Sequence, residues 1–101
     1  MSAKEESNPG KKELVVVTSI GIDRPGIVAA ITGVLAEANV NIEDISQTIM
    51  GEYFTMILLA DISKSAIKLE ELQKRLEKKT EGMGQNIRVQ HENVFKAMNR
   101  I

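Results

Sequence analysis

The sequence predicts an α+β fold of the ferredoxin-like type, a four-stranded antiparallel sheet with two helices on one face. Three observations lead to this prediction. Segments with a strand-like repeat and segments with a helical repeat follow one another in the order β, α, β, β, α, β. The first and third strand segments are apolar on both faces, as central strands are. The chain has 101 residues, enough for one domain with a single core.

The N-terminal segment and the first strand differ in composition. Residues 1–12, MSAKEESNPGKK, are almost all polar and are expected to form a disordered tail. From Glu13 the segment ELVVVTSI predicts a buried strand, because valine and isoleucine favour extended backbone. Within it, Val15 and Val17 are expected to point to the face of the sheet that carries no helices.

An amphipathic helix is predicted next. Its apolar stripe has helical spacing and consists of Ile27, Ala30, Ile31, Val34, Leu35 and Ala38. The opposite flank carries the small residues Ala29, Gly33 and Ala36, which would allow another backbone to approach closely.

The second and third strands follow. In NVNIEDISQTIM the apolar alternation slips by one residue near Glu43 and Asp44, which predicts a β-bulge. Gly51 then turns the chain into EYFTMILLADI, where Ile57 and Leu59 lie on the face opposite to Phe54 and its neighbours in phase. A strand that is apolar on both sides is expected at the centre of the sheet.

The C-terminal third predicts a helix, a strand and a further helix. The first helix is expected over 65–80, with Leu69, Leu72 and Leu76 facing inward. NIRVQH is predicted to be a half-exposed edge strand. The last segment places Val94, Phe95, Met98 and Ile101 at helical spacing. This amphipathic helix, residues 92–101, is expected to bury these side chains against the second face of the sheet or against a partner subunit.

Composition excludes several classes of protein. Thirteen basic and 14 acidic residues give a net charge of -1, which is unfavourable for recruiting nucleic acid or an anionic membrane. The chain has no cysteine, so disulfides, thiolate metal sites and thiol nucleophiles are excluded. No apolar run reaches 18 residues, and a cytoplasmic location is expected. We expect neither a cofactor nor a metal.

The segment SIGIDRPGIVAA joins the first strand to the first helix. Gly21 and Gly26 permit backbone conformations that other residues avoid, and Pro25 presets φ near a helix start. Asp23 could cap the helix through its carboxylate, although Arg24 could formally occupy the cap position. A helix N-terminus also attracts carboxylates and phosphates. The residues alone leave both interpretations open, a ligand site or a simple helix start.

The segment DRPGIVAAITGVLAEANVNI, residues 23–42, resembles the signature of the ACT domain, a small regulatory module that binds amino acids and related metabolites. The segments ISQTIMGEYFTMILL and VQHENVFKAMNRI resemble short, free-standing ACT proteins related to the glycine-cleavage regulator type. The resemblance implies an ACT domain over residues 13–91. It also implies a ligand at a homodimer interface, held by the first loop of one subunit and by the helix or second strand of its neighbour. The implied binding residues are Gly21, Ile22, Asp23, Arg24, Pro25, Gly26, Ile27 and Asn41.

One departure from the resemblance bears on the ligand. Serine-sensing members carry polar side chains in the loop, whereas this chain has Gly21 at one such position and the acidic Asp23 at another. An anionic Asp23 disfavours a ligand carboxylate unless it engages an ammonium group or caps the helix.

Two other functional classes are less consistent with the sequence. An enzyme would need a general acid or base, and the candidates are the single histidine, His91, on an edge strand and the adjacent Glu43 and Asp44. An RNA-binding module of this fold would stack bases on aromatic residues at the exposed face of the central strands, where Tyr53 is the one aromatic expected. We therefore expect a protein that is not an enzyme.

A homodimer is the expected assembly. Its two possible geometries are edge-to-edge pairing through the second strand and packing of the two bare sheet faces against each other. An oligomerisation or protein-interaction module without any ligand is the alternative function.

Overall fold

The computed structural model describes residues 11–99 and confirms the ferredoxin-like fold. Seven elements follow one another: β1 (Leu14–Ile22), α1 (Ile27–Glu37), β2 (Asn41–Met50), β3 (Tyr53–Asp61), α2 (Leu69–Lys79), β4 (Gln85–His91) and α3 (Glu92–Met98). Residues 1–10 of the predicted tail and Ile101 of the last apolar stripe lie outside the described residues.

The four strands form one antiparallel sheet in the order β2-β3-β1-β4. The prediction that β1 and β3 are central is therefore confirmed, as is the edge position of β4. Val17 lies opposite Leu58 of β3 and Val89 of β4, so side chains at this level share one face. This register decides which residues of β1 meet the helices.

The core lies between the sheet and helices α1 and α2. Val15 and Val17 are fully buried in it, so the prediction that they point to the bare face is wrong. Three consecutive valines show no apolar–polar alternation, so the sequence does not say which of them face the helices. The antiparallel register with Leu58 and Ala60 places the first and third of them toward the helices. The other core residues of the sheet include Phe54, Met56, Ile87 and Val89.

The strand residues that alternate with the core residues point to the face without α1 and α2, here called the open face. Ile57 belongs to it, as predicted, and is 45% exposed. Ile20, Ile22 and Tyr53 also belong to it and are exposed, because Ile22 lies opposite Tyr53 and Ile20 lies opposite Thr55. The open face is therefore apolar over β1 and β3 and partly solvent-exposed.

Strand β2 carries the predicted bulge, a register shift between Ile42 and Asp44. The extra residue brings Ile42, Ile45 and Ile49 to the helix side of the sheet, opposite Ala60, Leu58 and Phe54. These isoleucines remain 37%, 37% and 58% exposed, respectively. The two helices cover β3, β1 and β4 but leave the helix side of β2 largely uncovered.

Helix α2 begins at Leu69, four residues after the predicted start. The Ser65 hydroxyl donates to the Ile67 carbonyl oxygen at 2.6 Å and accepts from the Ile67 amide at 3.1 Å. The Ala66 amide donates to the Ala38 carbonyl oxygen at 2.9 Å. Serine hydroxyls that bond to nearby backbone compete with helix formation, so residues 65–68 form a turn instead.

Helix α3 lies on the open face against β1 and β4. It covers Val16, which is only 5% exposed although it belongs to that face. Phe95 is half-buried, whereas Val94 and Met98 are 47% and 64% exposed, so their predicted burial against the sheet does not occur within one chain. A helix of seven residues has only about two turns, which is too few to bury all of its apolar side chains against the sheet.

Within residues 11–99, none of the helices has both the length and the apolar character that a membrane crossing requires.

The position of α3 predicts that alanine substitutions of two neighbouring side chains change the free energy of unfolding by different amounts. Phe95→Ala should lower the free energy of unfolding by about 1–2 kcal/mol, less than for a fully buried phenylalanine, because the side chain is half-buried on the sheet. Val94→Ala should change it by less than about 0.5 kcal/mol. Urea unfolding of both variants checks this, and equal losses would show that α3 is covered on both sides.

Candidate functional site

The loop from Gly21 to Ile27 lies at the end of the sheet where β1 stops, beside the β2–β3 turn and the α2–β4 turn. The Asp23 amide donates to the Glu52 carbonyl oxygen at 2.7 Å, which attaches the loop to the β2–β3 turn. The Arg24 guanidinium donates to the Gly82 carbonyl oxygen at 3.0 Å, which attaches it to the α2–β4 turn. The loop is thereby held from two sides before α1 begins.

Gly21 is required by the close approach of two backbones. A Cβ at this position would lie 2.0 Å from the Gly84 carbonyl oxygen, far inside any permitted contact. Gln85 reinforces the junction, because its amide nitrogen donates to the Ile22 carbonyl oxygen at 2.8 Å and its amide oxygen accepts from the buried Ser19 hydroxyl at 2.8 Å. The missing side chain of Gly21 thus makes room for the α2–β4 turn.

The cap of α1 differs from the prediction. Gly26 occupies the N-cap position with φ 91°, a left-handed conformation that glycine adopts without strain. The predicted caps, Asp23 and Arg24, lie farther upstream, and Gly26, which has no side chain, makes no capping bond to the first turn. Pro25 forms part of the turn before Gly26 and lies outside the helix. The amides of the first turn therefore have no side-chain acceptor from the cap.

Exposure separates the loop residues into two groups. Ile22, Asp23, Arg24, Pro25 and Gly26 are exposed, whereas the Ile27 side chain is only 2% exposed and packs in the core. Ile27 can therefore contribute only its backbone to a ligand. What the loop offers to a small molecule is a set of amide donors at the start of α1 and the exposed carboxylate of Asp23.

Asn41 lies at the opposite end of the sheet from the loop. It is opposite Asp61 of β3, whereas Ile22 and Met50 are both opposite Tyr53. Eight residues of extended strand separate Tyr53 from Asp61, about 26 Å. Within one chain the fold does not bring Asn41 to the loop.

Asn41 lies in a polar cluster at the bulge, a set of residues that the sequence did not connect. Its side-chain amide donates to Glu43 Oε2 at 2.8 Å, and Glu43 Oε1 accepts from Lys12 Nζ at 2.6 Å. The hydrogen bond and charge of Lys12, together with the bond from Asn41, lower the pKa of the Glu43 carboxyl. Asn39 and Asp61 line the same cavity, whose volume is about 440 Å³. The alternation slip at Glu43 was the only sequence signal for this cluster.

The residues considered for catalysis are engaged separately. Asp44 Oδ1 accepts from the Ile45 amide at 2.9 Å, while Glu43 bonds to Lys12 and Asn41, so the bulge does not join the two carboxylates in one site. His91 is exposed on β4, with Nδ1 3.9 Å from Glu13 Oε2. Across residues 11–99, no group of three histidine, aspartate or glutamate side chains is arranged to hold a metal ion.

Comparison with known proteins identifies the family. The family model described as "ACT domain" matches residues 13–90. The chain belongs to the ACT domain family. This match confirms the resemblance of the segment that begins at Asp23, and it covers all six elements of the ferredoxin-like core, from β1 to β4.

Relatives and solved structures agree with this assignment. A "UPF0237 protein" of Methanococcus maripaludis is 55% identical over 89 residues, which cover 88% of this chain and 99% of the relative. A structure titled "ACT domain protein from Streptococcus pneumoniae" is 34% identical, with a TM-score of 0.71 over 87% of this chain and 99% of that one. The ligand-free regulatory subunit of aspartate kinase from Thermus thermophilus, at 24% identity and a TM-score of 0.61, shares the fold over 77% of this chain and 51% of its own.

The ACT domain assignment carries a general function. ACT domains are regulatory modules that bind small molecules, and this general role comes with membership of the family.

Replacement of two glycines by alanine, one at the loop and one inside α1, should have opposite effects on the free energy of unfolding. Gly21→Ala should lower the free energy of unfolding by about 1–3 kcal/mol, because its methyl group meets the Gly84 carbonyl oxygen. Gly33→Ala, inside α1 with no atom within 4 Å of the new Cβ, should raise it by about 0.4–1 kcal/mol. Urea midpoints of the two variants give the comparison. A Gly21→Ala protein as stable as the parent would contradict the close backbone approach.

Proposed function

We propose that this ACT domain is a non-enzymatic cytoplasmic regulator that forms a homodimer through β2 and binds an α-amino acid at the dimer interface. The observation that carries the proposal is the separation of Asn41 from the loop within one chain. A site that uses both must be completed by a second copy.

Strand β2 has the features of an interface edge. It is a ten-residue edge strand whose outer backbone groups have no neighbouring strand among residues 11–99, and unprotected edges of this length pair readily with another strand. On its helix side Ile42, Ile45 and Ile49 are exposed. Helix α1, which contacts β2, exposes the small residues Ala29, Gly33 and Ala36. A second copy at this edge would pair the strands and cover the isoleucine row.

The two-fold symmetry of such a dimer brings the separated halves of the site together. If β2 pairs with its copy antiparallel about an axis near Ile45 and Ser46, residue 41 of one copy lies beside residue 50 of the other. Met50 is opposite Tyr53, which in turn is opposite Ile22 at the start of the loop. Asn41 of the second copy would thus reach the end of the sheet that carries the loop. Packing of the two open faces provides no comparable reason for this juxtaposition.

The chemistry of the two halves suits a zwitterion. The amides at the start of α1 and the positive end of its dipole favour a carboxylate. An anionic Asp23 tolerates a nearby ligand carboxylate if it either caps the helix or engages an ammonium group. It does not cap the helix, so engagement of an ammonium group remains. Asp23 would then accept from the ammonium group of an amino acid whose carboxylate lies on the helix start.

A thermal-shift screen with the twenty amino acids tests the ligand. An amino acid at a hundred times its dissociation constant should stabilise the protein by about 2.7 kcal/mol, a rise in melting temperature of roughly ten degrees or more. Asn41→Ala and Asp23→Asn should reduce this shift, whereas Asn86→Ala, an exposed asparagine on β4, should retain it. Gly26→Ala is unsuitable because the left-handed conformation at Gly26 would strain alanine. Failure of all twenty amino acids to shift the parent would contradict ligand binding.

The dimer geometry is tested by two lysine substitutions at sites of similar exposure in the single chain, 37% at Ile45 and 45% at Ile57. Ile45→Lys places charges at the β2 interface and should convert the dimer to a monomer, because burying an unpaired charge is costly. Ile57→Lys, on the open face, should leave the dimer intact. Light scattering should give twice the 11.1 kDa chain mass for the parent. The reverse response of the two variants would favour packing of the open faces.

An interaction module without a ligand is the second candidate function. It is favoured by the open face, where a groove of about 490 Å³ beside α3 is lined by Ile20, Ile57, Phe95 and Met98 among other residues. Exposed apolar surface of this kind is typical of protein contacts. The absence of any amino-acid shift, together with an intact dimer, would favour this function.

A further inference from the structure

The orientation of the Asn41 side chain is determined by its partner. Its amide nitrogen lies 2.8 Å from Glu43 Oε2. An ionised carboxylate can only accept hydrogen bonds, so the amide group of Asn41 must turn its NH₂ to Glu43 and its Oδ1 away from it. Among residues 11–99 the hydrogen bond of the Asn41 side chain is the one from its NH₂ to Glu43, and no donor is bonded to its Oδ1 atom. Asn41 therefore presents an open acceptor.

Glu43 is itself held in place. It lies at the bulge between Ile42 and Asp44, and Lys12 Nζ donates to its second oxygen at 2.6 Å. The side chain of Glu43 is only 20% exposed, although most of β2 is exposed. Lys12 keeps the carboxylate ionised, which is consistent with the lowered pKa of Glu43. Within the part of the chain that the structure describes, each oxygen of Glu43 thus has one partner, and the ion pair fixes the carboxylate that orients Asn41.

We propose that Glu43, held by Lys12, is a positioning residue that makes Asn41 select ligands with a donor group. This inference rests on the proposed function, in which Asn41 of one copy completes the site of the other. With its NH₂ engaged, Asn41 offers its Oδ1 to the ammonium group of an amino acid. The loop of the first copy, by contrast, offers amide donors to the carboxylate. One copy thus supplies the amide donors and the Asp23 carboxylate, and the other supplies Asn41 as a second acceptor for the ammonium group.

The proposal separates two properties of the ligand. The carboxylate is recognised at the start of α1 and should not depend on Glu43. Recognition of the ammonium group should depend on Glu43, because a freely rotating Asn41 amide would present donor and acceptor equally. Loss of Glu43 is therefore expected to weaken the binding of amino acids and to leave simple carboxylates unaffected.

The experiment uses the full chain and compares Glu43→Gln with the parent. The glutamine can both donate and accept, so it no longer imposes one orientation on Asn41. Isothermal titration with the twenty amino acids, and with acetate and propanoate as carboxylates lacking the ammonium group, measures selectivity. We expect Glu43→Gln to weaken amino-acid binding about three- to tenfold, in line with one oriented hydrogen bond. Binding of propanoate or acetate should be unchanged.

Two further variants make the comparison specific. Lys12→Met should weaken amino-acid binding in the same direction, whereas Lys12→Arg retains the ion pair and should behave as the parent. Glu70→Gln, at an exposed carboxylate on α2, is the matched control and should have no effect. A variant that merely destabilised the dimer would weaken amino acids and propanoate alike, which would overturn the proposal.

An NMR titration of the Asn41 side-chain amide tests the pairing without any ligand. The charged groups that act on Glu43 are Lys12 and Asp61, and Lys64 lines the same cavity. In the parent, the Asn41 NH₂ signals should shift with acidification, with a midpoint below the ordinary glutamate value of 4.5. In Glu43→Gln this transition should disappear. If the Asn41 NH₂ signals of the parent do not change as Glu43 is protonated, the proposed pairing of Asn41 with Glu43 is wrong.

The outcomes distinguish this inference from the proposed function. If the parent binds an amino acid and Glu43→Gln binds it equally well, the inference is wrong and the proposed function stands. If the parent binds no amino acid, the proposed function is wrong and the selectivity role of Glu43 is wrong with it. The NMR titration then still decides whether Glu43 orients Asn41.

Discussion

Two helices lie across a sheet of four strands, and they cover only three of them. The side chains of β3, β1 and β4 that face α1 and α2 form the core, while the helix side of β2 keeps Ile42, Ile45 and Ile49 exposed. The exposed row, the unpaired edge beside it and the small residues of α1 all belong to one surface. In the proposed dimer, a second copy of the chain would cover this surface with a single symmetric contact.

The loop that begins α1 owes its shape to backbone contacts. Gly21 lets the α2–β4 turn approach, Gln85 holds β1 to that turn, and Asp23 bonds through its amide to the β2–β3 turn. Gly26 then starts the helix without a side-chain cap. Because the loop is held by backbone contacts and by the Gln85 and Arg24 side chains, the Asp23 carboxylate and the first amides of α1 are left for solvent or ligand. The proposed contacts to a carboxylate and to an ammonium group therefore use atoms other than those that hold the loop.

The two ends of the sheet have complementary chemistry. The end with the loop offers amide donors beside the Asp23 carboxylate, and the end with Asn41 offers an acceptor in a cluster organised by Glu43 and Lys12. Antiparallel pairing of β2 with its copy would join unlike ends, since it places the start of one strand beside the end of the other. A dimer formed this way has two equivalent sites, each with contributions from both chains.

Much of the architecture followed from local pattern, because the spacing of apolar residues reflects which side of a helix or strand is buried. The sequence determined the order of the elements, the central positions of β1 and β3, the bulge near Glu43 and the existence of α3. It could not determine which side chains of β1 face the helices, since Val15, Val16 and Val17 are identical and show no apolar–polar alternation. Only the register with β3, a contact between distant parts of the chain, decided this orientation. The same holds for the site: the loop was visible in the sequence, but the role of Gly21 depended on Gly84, 63 residues later in the chain, and the orientation of Asn41 depended on Lys12. Contacts at such separation arise from the packing of whole elements, which no local pattern records.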